Sequence, residues 1–456
     1  MKKIKSCFLV MSANLTRDII LQYENLPYTK VCVLYTGKKD ITEKKTSPKL
    51  EILSVSHGND LARKMKQVFE TYMEYRIIPH FTWDDNSRHA IKVYNQSFGT
   101  KIDAKIFKEK DKMQKFLWDI SHKEYLKMNY REVMYSDYAT LTAQVGNNFI
   151  IKPTNSSSSR SAFKINSAEG FEAIKLKLAR WYEYIIEEYL DGELYSLDFF
   201  MTDGKIYLLT YAREIAMIEL SDKKKFSKGF LEKYGEELEK HFNFMLPLAY
   251  HMDFSQLNKR ELSFLEELRK KLAEIEYRGV IHLEYKYDKV RKKIWFIEWG
   301  ARYGGYRSIF IKKIYNTDTL KIPHYLLIEK DASRFHALKH NILCLKEQEH
   351  NLNFVRVKTN FTKTTNYISI LKKTGGIFES SLSQFLKEYY MRVFGIKIKN
   401  IDFFVKYSPL YNFFPFYHKQ STRLDYILEL DDANFELFKK KKFQIIEKTF
   451  FHDYNS

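Results

Sequence analysis

The run "IWFIEWGARYGGYRS", residues 294–308, sets Glu298 between bulky apolar residues and follows it with Gly300, Arg302, Gly304, Gly305 and Arg307. An ionised carboxylate is costly to bury unless it is paired or bound to a cation. The longer stretch "GVIHLEYKYDKVRKKIWFIEWG" (279–300) reads as two strands flanking the charged turn "DKVRKK". About a midpoint near Val290 and Arg291, Glu284 and Glu298 are equidistant, so the two carboxylates face each other with Cβ atoms about 4.5–5.5 Å apart. Their repulsion is relieved by a raised pKa, an arginine or a hard divalent cation. A slipped register would leave both exposed, but the apolar setting "FIEWG" argues for burial. Mg²⁺ is the sharper expectation, because it binds through one or two carboxylates plus substrate phosphates.

A chain of 456 residues exceeds one ordinary core and suggests two to four units of about 100–200 residues. Its 45% hydrophobic and 16% aromatic content excludes a disordered chain. A net charge of +19, from 76 Lys plus Arg against 57 Asp plus Glu, favours acidic partners such as nucleotides. The lysines are spread along the whole chain without a helix-turn-helix, zinc-finger or RNA-binding signature, so nucleic acid is not an expected partner. Cys7, Cys32 and Cys344 are too few and too scattered for a disulfide framework or a zinc site, which suits a reducing compartment. The start "MKKIKSCFLVMSANLTRD" has no signal-peptide core, and no apolar run is long enough to span a bilayer. A cytoplasmic protein without a membrane partner is expected.

Over residues 1–104 short β-branched runs ("SCFLVMSA", "KVCVLYTG", "LEILSV", "RIIPHF") alternate with amphipathic helices, the pattern of a parallel α/β unit. No G-x-G-x-x-G accompanies it, so a dinucleotide site there is unsupported. Residues 105–145 read as basic helix. Then "NNFIIKPTNSSSSRSAFKI" reads as strand, loop and strand, and "SAEGFEAIKLKLARWY" as helix. Residues 182–215 read as antiparallel strands with turns at Asp191-Gly192 and Asp203-Gly204. A charged helical insertion is expected at about 221–240, an amphipathic helix at 258–277, and short strands such as "NYISILKKTGGIFES" beyond 335. Lys439–Lys442 belong to a solvated face of the last helix.

"IIKPTNSSSSRS" ends an apolar strand at Lys152, passes through small polar residues and reaches Arg160. Such a loop, rich in N–H and hydroxyl donors, can fold over phosphates. These marks occur in a fixed order: "DK" (Asp111-Lys112), "KP" before a small-residue loop, "EEYLDGE", an internal G-x-x-x-x-E, and E-x-x-x-R-x-G-G. In that order and spacing, residues 105–325 resemble an ATP-grasp domain of the carboxylate–amine ligase type, similar to amino-acid ligases.

The resemblance implies an α/β fold in three parts. These are an N-terminal Rossmann-like unit (1–104), a two-lobed ATP-grasp unit (105–334, with a lid at about 145–190) and a small β-rich C-terminal unit (335–456) packing on the ATP-grasp core. It implies ATP and Mg²⁺, or Mn²⁺ in its place, as cofactors. Lys112 and Lys152 would contact phosphates, and Ser157, Ser158 and Ser159 would close over the γ-phosphate. Glu187 and Glu188, with the backbone at Tyr189 and Leu190, would hold the adenine edge, and Glu193 the ribose. Glu284 and Glu298 would ligate the metal. Arg302, with Lys152, would act in catalysis, holding the substrate carboxylate or the transferring phosphoryl group. Selectivity would lie in residues such as Arg213, Glu214, Tyr303, Tyr306 and Arg307. The chain departs from the usual pattern at Gly300, where many members have Asn, and in serines where the phosphate loop usually has glycines. The implied activity joins a small-molecule carboxylate to an amine through an acyl phosphate; a homodimer is the expected assembly. A phosphotransferase on the same fold and a non-catalytic nucleotide-binding protein are the alternatives.

Overall fold

In the computed structural model the described residues are 5–450, except 13–16, 37–46, 56–57, 81–86, 122, 156–161, 191, 216–247, 347–352, 362–375 and 405–421. The described strands form three sheets.

The first sheet comes from β1 (Ser6–Ser12), α1 (Arg17–Glu24), β2 (Lys30–Tyr35), β3 (Leu50–Ser54), α2 (Gly58–Thr71) and β4 (Arg76–His80), followed by α3 (Ser87–Phe98). Its strands are parallel in the order β3-β2-β1-β4. Buried on both sides, they are the near-continuous apolar runs seen in the sequence. Cys7 and Cys32 meet between β1 and β2 with their sulfurs 3.5 Å apart, and all three cysteines are free.

The second sheet follows α4 (Lys110–Phe116). It holds β5 (Tyr125–Asn129), α5 (Tyr130–Tyr135), α6 (Tyr138–Val145), β6 (Phe149–Pro153), β7 (Phe163–Ile165), α7 (Ala168–Lys175) and β8 (Glu183–Glu188), with strand order β5-β8-β6-β7. The helix expected over 105–145 is therefore interrupted by a strand. Tyr125 to Met128 alternate, with Leu126 and Met128 turned into the sheet's apolar cluster, and Asn129 then starts α5 with a capping box.

The third sheet has ten strands. It is built from β9 (Glu193–Thr202), β10 (Lys205–Ile215), β11 (Leu248–His251), α8 (Lys259–Glu274), β12 (Gly279–Asp288), β13 (Lys293–Gly300) and α9 (Arg307–Tyr315). There follow β14 (Phe335–Lys339), β15 (Ile342–Leu345), β16 (Asn353–Phe361), α10 (Gly376–Phe394), β17 (Asn400–Phe404), β18 (Thr422–Leu430) and α11 (Asp432–Phe450). The order is β13-β12-β9-β10-β11-β16-β18-β17, with β15 also on β10 and β14 on β15.

Asp203 and Gly204 make the β9–β10 hairpin with φ of 50° and 71°, the left-handed pair such a turn requires. Asp191-Gly192 is not a hairpin turn, because β8 and β9 belong to different sheets. Asp191 itself lies outside the described residues, as does the insertion expected at 221–240. Gly192 has φ 129°, and a Cβ there would come within 2.8 Å of the Tyr287 carbonyl. The C-terminal strands extend this same sheet. Two 19-residue helices accompany them, and α10 includes the "GIFES" that reads as strand in the sequence. Leu386, Tyr390 and Phe394 of α10 and Phe435, Phe438, Ile445 and Ile446 of α11 give these helices their core face.

No helix among the described residues is long and apolar enough to cross a membrane.

Candidate functional site

Residues paired across neighbouring strands share a face of the sheet. Glu298, Glu284, Ser196 and Ala212 stand in one such row across β13, β12, β9 and β10. The adjacent row carries Gly300, His282, Asp198 and Thr210. The row on the other side includes Lys286, Leu194 and Glu214, continuing through Ala249 to Arg356. The polar side chains of five strands are thus gathered on one face.

Glu284 and Glu298 do face each other, by a route the sequence conceals. The turn is the four residues 289–292, closed by Asp288 accepting from the N–H of Val290 and Arg291 and by Lys292 at φ 51°. Asp288 therefore pairs with Lys293, a centre half a residue earlier than expected. A bulge at Ile297 takes up the difference and restores the Glu284–Glu298 pair.

His282 lies between two carboxylates, with Nδ1 2.6 Å from Asp198 Oδ1 and Nε2 3.2 Å from Glu284 Oε1. Burial opposes its charging, but the Asp198 carboxylate outweighs this and, with Glu284, lifts the imidazole to about 9. Burial raises the pKa of Glu284, and the charge of Glu298 adds to the rise, with His282 opposing. Lys110 Nζ is 3.6 Å from Glu298 Oε2. A Cβ at Gly304 would come 2.8 Å from His282 Nδ1 and 2.6 Å from Arg307 Cγ, and the Gly304 N–H donates to Asp198 Oδ2 at 2.9 Å. Only glycine fits this approach.

The second sheet is two-faced. Phe149, Ile151, Tyr184 and Ile186 pack on α6 and α7, whereas Tyr125, Glu187, Lys152 and Lys164 lie on the opposite face. Glu187, 2% exposed, sits between Lys152 (2.5 Å) and Lys123 (2.8 Å). Burial would raise the Glu187 pKa, but the two lysines bring it down to about 2. Burial drives the Lys123 ammonium down to about 8. Glu187, expected at the adenine edge, thus has Oε1 hydrogen-bonded to Lys152 and Oε2 ion-paired with Lys123.

Contacts tie this face to the large sheet. Lys286 Nζ donates to the Leu190 carbonyl at 2.7 Å and lies 4.5 Å from the Tyr189 ring centre, with Lys164 Nζ 3.8 Å from the same ring. The Tyr189 N–H is bonded to Asn148 O. Glu188 is half-buried at the end of β8. The Lys110 N–H donates to Thr154 O at 2.9 Å, so this one residue touches β6's end with its backbone and Glu298 with its side chain.

Two of the expected residues are not brought to the carboxylate pair. Lys112 is about 200° around α4 from Lys110, so Lys110 is the helix lysine that meets the carboxylate pair. Glu193 lies on the opposite face of the large sheet, where it accepts from Lys289 (2.6 Å) and Tyr195 (2.5 Å) near Arg213 (3.9 Å). Burial pushes its pKa up, but these partners bring it below the ordinary value. Alternation along β9 decides this: Ser196 and Asp198 face the site, so Glu193 and Tyr195 do not. Arg213 shares the far face with Tyr195, Tyr211 and Tyr285 beneath α8. Ser157, Ser158 and Ser159 lie outside the described residues.

No family model matches the chain, and no curated protein does. Among solved structures, it is similar to the L-amino acid ligase from Bacillus licheniformis (TM-score 0.62, 12% identity, 98% of both chains). It is also similar to an ADP complex of N5-carboxyaminoimidazole synthetase from Staphylococcus aureus (TM-score 0.57, 11% identity, 98% of both chains). Biotin carboxylase from Campylobacter jejuni matches over 97% of this chain and 91% of its own, at TM-score 0.54 and 11% identity. The chain has the ATP-grasp fold.

Within the ATP-grasp fold, a further buried cluster adjoins the carboxylate pair. Glu214 Oε1 accepts from Ser196 (2.6 Å), Tyr306 (2.5 Å) and Arg307 (2.7 Å), and Arg307 also bonds Ser196. Burial opposes ionisation of Glu214, yet Arg307 and these donors hold it below its ordinary pKa. Arg302 begins the turn after β13, its N–H on Gly300 O and its guanidinium on Tyr303 O at 2.9 Å. The site residues absent from the sequence reading are Lys110, Lys123, Lys286, Asp198, Ser196 and His282. The alternation of His282 with Glu284 on β12 was a usable signal for one. Asp198 required knowing that β9 pairs with β12, 84 residues away.

The donors facing one another at Glu284 and Glu298 are all carboxylate oxygens, hard ligands suited to Mg²⁺. Burial first and then the charge of Glu298 raise the Glu284 pKa, and a bound cation would offset both.

Proposed function

We propose that this protein is an ATP-dependent ligase that joins a small-molecule carboxylate, such as an amino acid, to an amine, releasing ADP and phosphate. The observation that carries this reading is the half-buried Glu284–Glu298 pair on a polar sheet face, tied through Lys110 and Lys286 to the sheet that bears Lys152 and Lys123. The similarity in fold to ligases supports it.

Phosphoryl transfer asks a protein for positioning and charge neutralisation. Lys152 and Lys123, held by Glu187, would take phosphate oxygens, and Lys286 would stand at the hinge beside Leu190, where the base is read. Glu284 and Glu298 would hold Mg²⁺, which when bound neutralises charge on the phosphates. Arg302 would orient the substrate carboxylate, whose oxygen attacks the γ-phosphorus as the bond to ADP breaks. The amine nitrogen then attacks the carbonyl carbon, the carbon–oxygen bond to phosphate breaks, and the amine gives up a proton.

The test is ADP and phosphate release across paired carboxylates and amines, with mass spectrometry of products. The ligase requires amine-dependent release and an amide product. A stable phosphorylated product formed without an amine would replace it with a phosphotransferase. Glu298→Gln is expected to lower turnover by roughly 10²–10³-fold, the scale of several kcal/mol of transition-state stabilisation.

A further inference from the structure

We infer that this site binds one divalent cation and not two, because His282 engages one oxygen of Glu284 and Lys110 is ion-paired with one oxygen of Glu298, leaving neither carboxylate both oxygens for a bridge. The inference rests on the reading of Glu284 and Glu298 as metal ligands.

Two cations acting together on a phosphoryl group lie about 3.5–4 Å apart and share carboxylates that bridge them. A carboxylate that gives one oxygen to each cation needs both oxygens free. Here Glu284 Oε1 faces His282 Nε2 at 3.2 Å, and Glu298 Oε2 faces Lys110 Nζ at 3.6 Å. One oxygen remains on each, Glu284 Oε2 and Glu298 Oε1. Two oxygens from facing carboxylates, with phosphate oxygens and water, complete the shell of a single Mg²⁺.

His282 is not placed by accident of rotamer. Its other nitrogen is 2.6 Å from Asp198 Oδ1, and Asp198 is fixed in turn by the Gly304 N–H. Strand register sets His282 directly opposite Gly300, which has no side chain to contest the space or to supply an oxygen. Gly304 provides the second absence, since its missing Cβ is where the imidazole packs. Among the described residues no cluster of three or more His, Cys, Asp or Glu could hold a metal. The two glycines and the Asp198–His282–Glu284 chain therefore form one device: space left by the glycines is filled by an imidazole that fixes one oxygen of Glu284.

The full-length protein, saturated with a non-hydrolysable ATP analogue, is titrated with Mn²⁺ and followed by electron paramagnetic resonance. One Mn²⁺ per bound nucleotide, with an isolated six-line spectrum, is expected. Two per nucleotide with a spin-coupled spectrum overturns the inference and leaves the ligase reading standing. Nucleotide bound with no protein-dependent change in Mn²⁺ affinity overturns both. A positioning role for the chain is read in Asp198→Asn. With unchanged circular dichroism, its Mn²⁺ affinity should fall about 10- to 100-fold, the usual effect of losing an outer partner of a ligand. Unchanged affinity in that variant sinks the role of the chain.

Discussion

Glu187 shows how much one buried side chain holds together. Removing its charge leaves Lys123 and Lys152 buried side by side without a counter-charge, a defect that typically costs about 3–5 kcal/mol. The pKa of Glu187 in the fold, about 2, lies below its ordinary value of 4.5, so its contribution is complete above about 4.5 and is lost as pH falls towards 2. The interval corresponds to roughly 3 kcal/mol. Urea denaturation of wild type and Glu187→Gln should show a gap that is widest near pH 7 and shrinks by more than half by pH 3. A gap of constant size over that range would mean that the carboxylate is not ionised between its lysines. Lys123 works in a separate window: its ammonium is driven down to about 8 from 10.5, so stability from this group rises as pH climbs between those values. In the sequence, Glu187 looked like a hinge residue and Lys123 like one more lysine in a basic helix. Charge pairs across strands leave no mark in local composition, which is why Lys152 was legible from its place before a proline and its partners were not.

Elements were more legible than their boundaries or their faces. The strands and helices of the N-terminal unit and the 279–300 hairpin follow from alternation and turn residues, patterns that short-range sterics enforce. Bulges do not announce themselves. The Glu284–Glu298 pair was expected from a six-residue turn, whereas the protein combines a four-residue turn with a bulge at Ile297. The face of Glu193 depends on the same kind of long-range information, since period-two alternation sets it opposite to Ser196 and Asp198 only once those two are known to point into the site. Gly304 belongs to this scale because it lets the turn after β13 close against β12. Gly304→Ala would drive a methyl into His282 and Arg307, at an expected cost of about 1–3 kcal/mol. Displacement of the imidazole should lower kcat at least about tenfold, with nucleotide affinity nearly intact. Paired measurements of Tm, nucleotide Kd and kcat check this, and a fully active Gly304→Ala protein would refute the packing argument.

At the scale of the molecule, the site exists only where two sheets meet. The large sheet supplies Glu284, Glu298, His282 and Lys286, and the smaller one supplies Lys152 and Glu187. Lys110 and Lys286 span between them. The two sheets rest on different apolar clusters, the large one sharing its cluster with the N-terminal sheet, so each polar face is supported from behind. The diffuse charge of +19 acquires meaning in this arrangement, since Lys110, Lys123, Lys152 and Lys286 are buried along the two polar faces. A triphosphate with Mg²⁺ should therefore bind both faces at once. At a concentration of 100 times Kd, a ligand specific to the folded state adds about 2.7 kcal/mol of stability. Hydrogen exchange with a non-hydrolysable ATP analogue should then slow in β6 and β8 and in β12 and β13 together. Protection confined to one sheet would show that the lysine face and the carboxylate face do not share a nucleotide, and the proposed chemistry would lose its geometric basis.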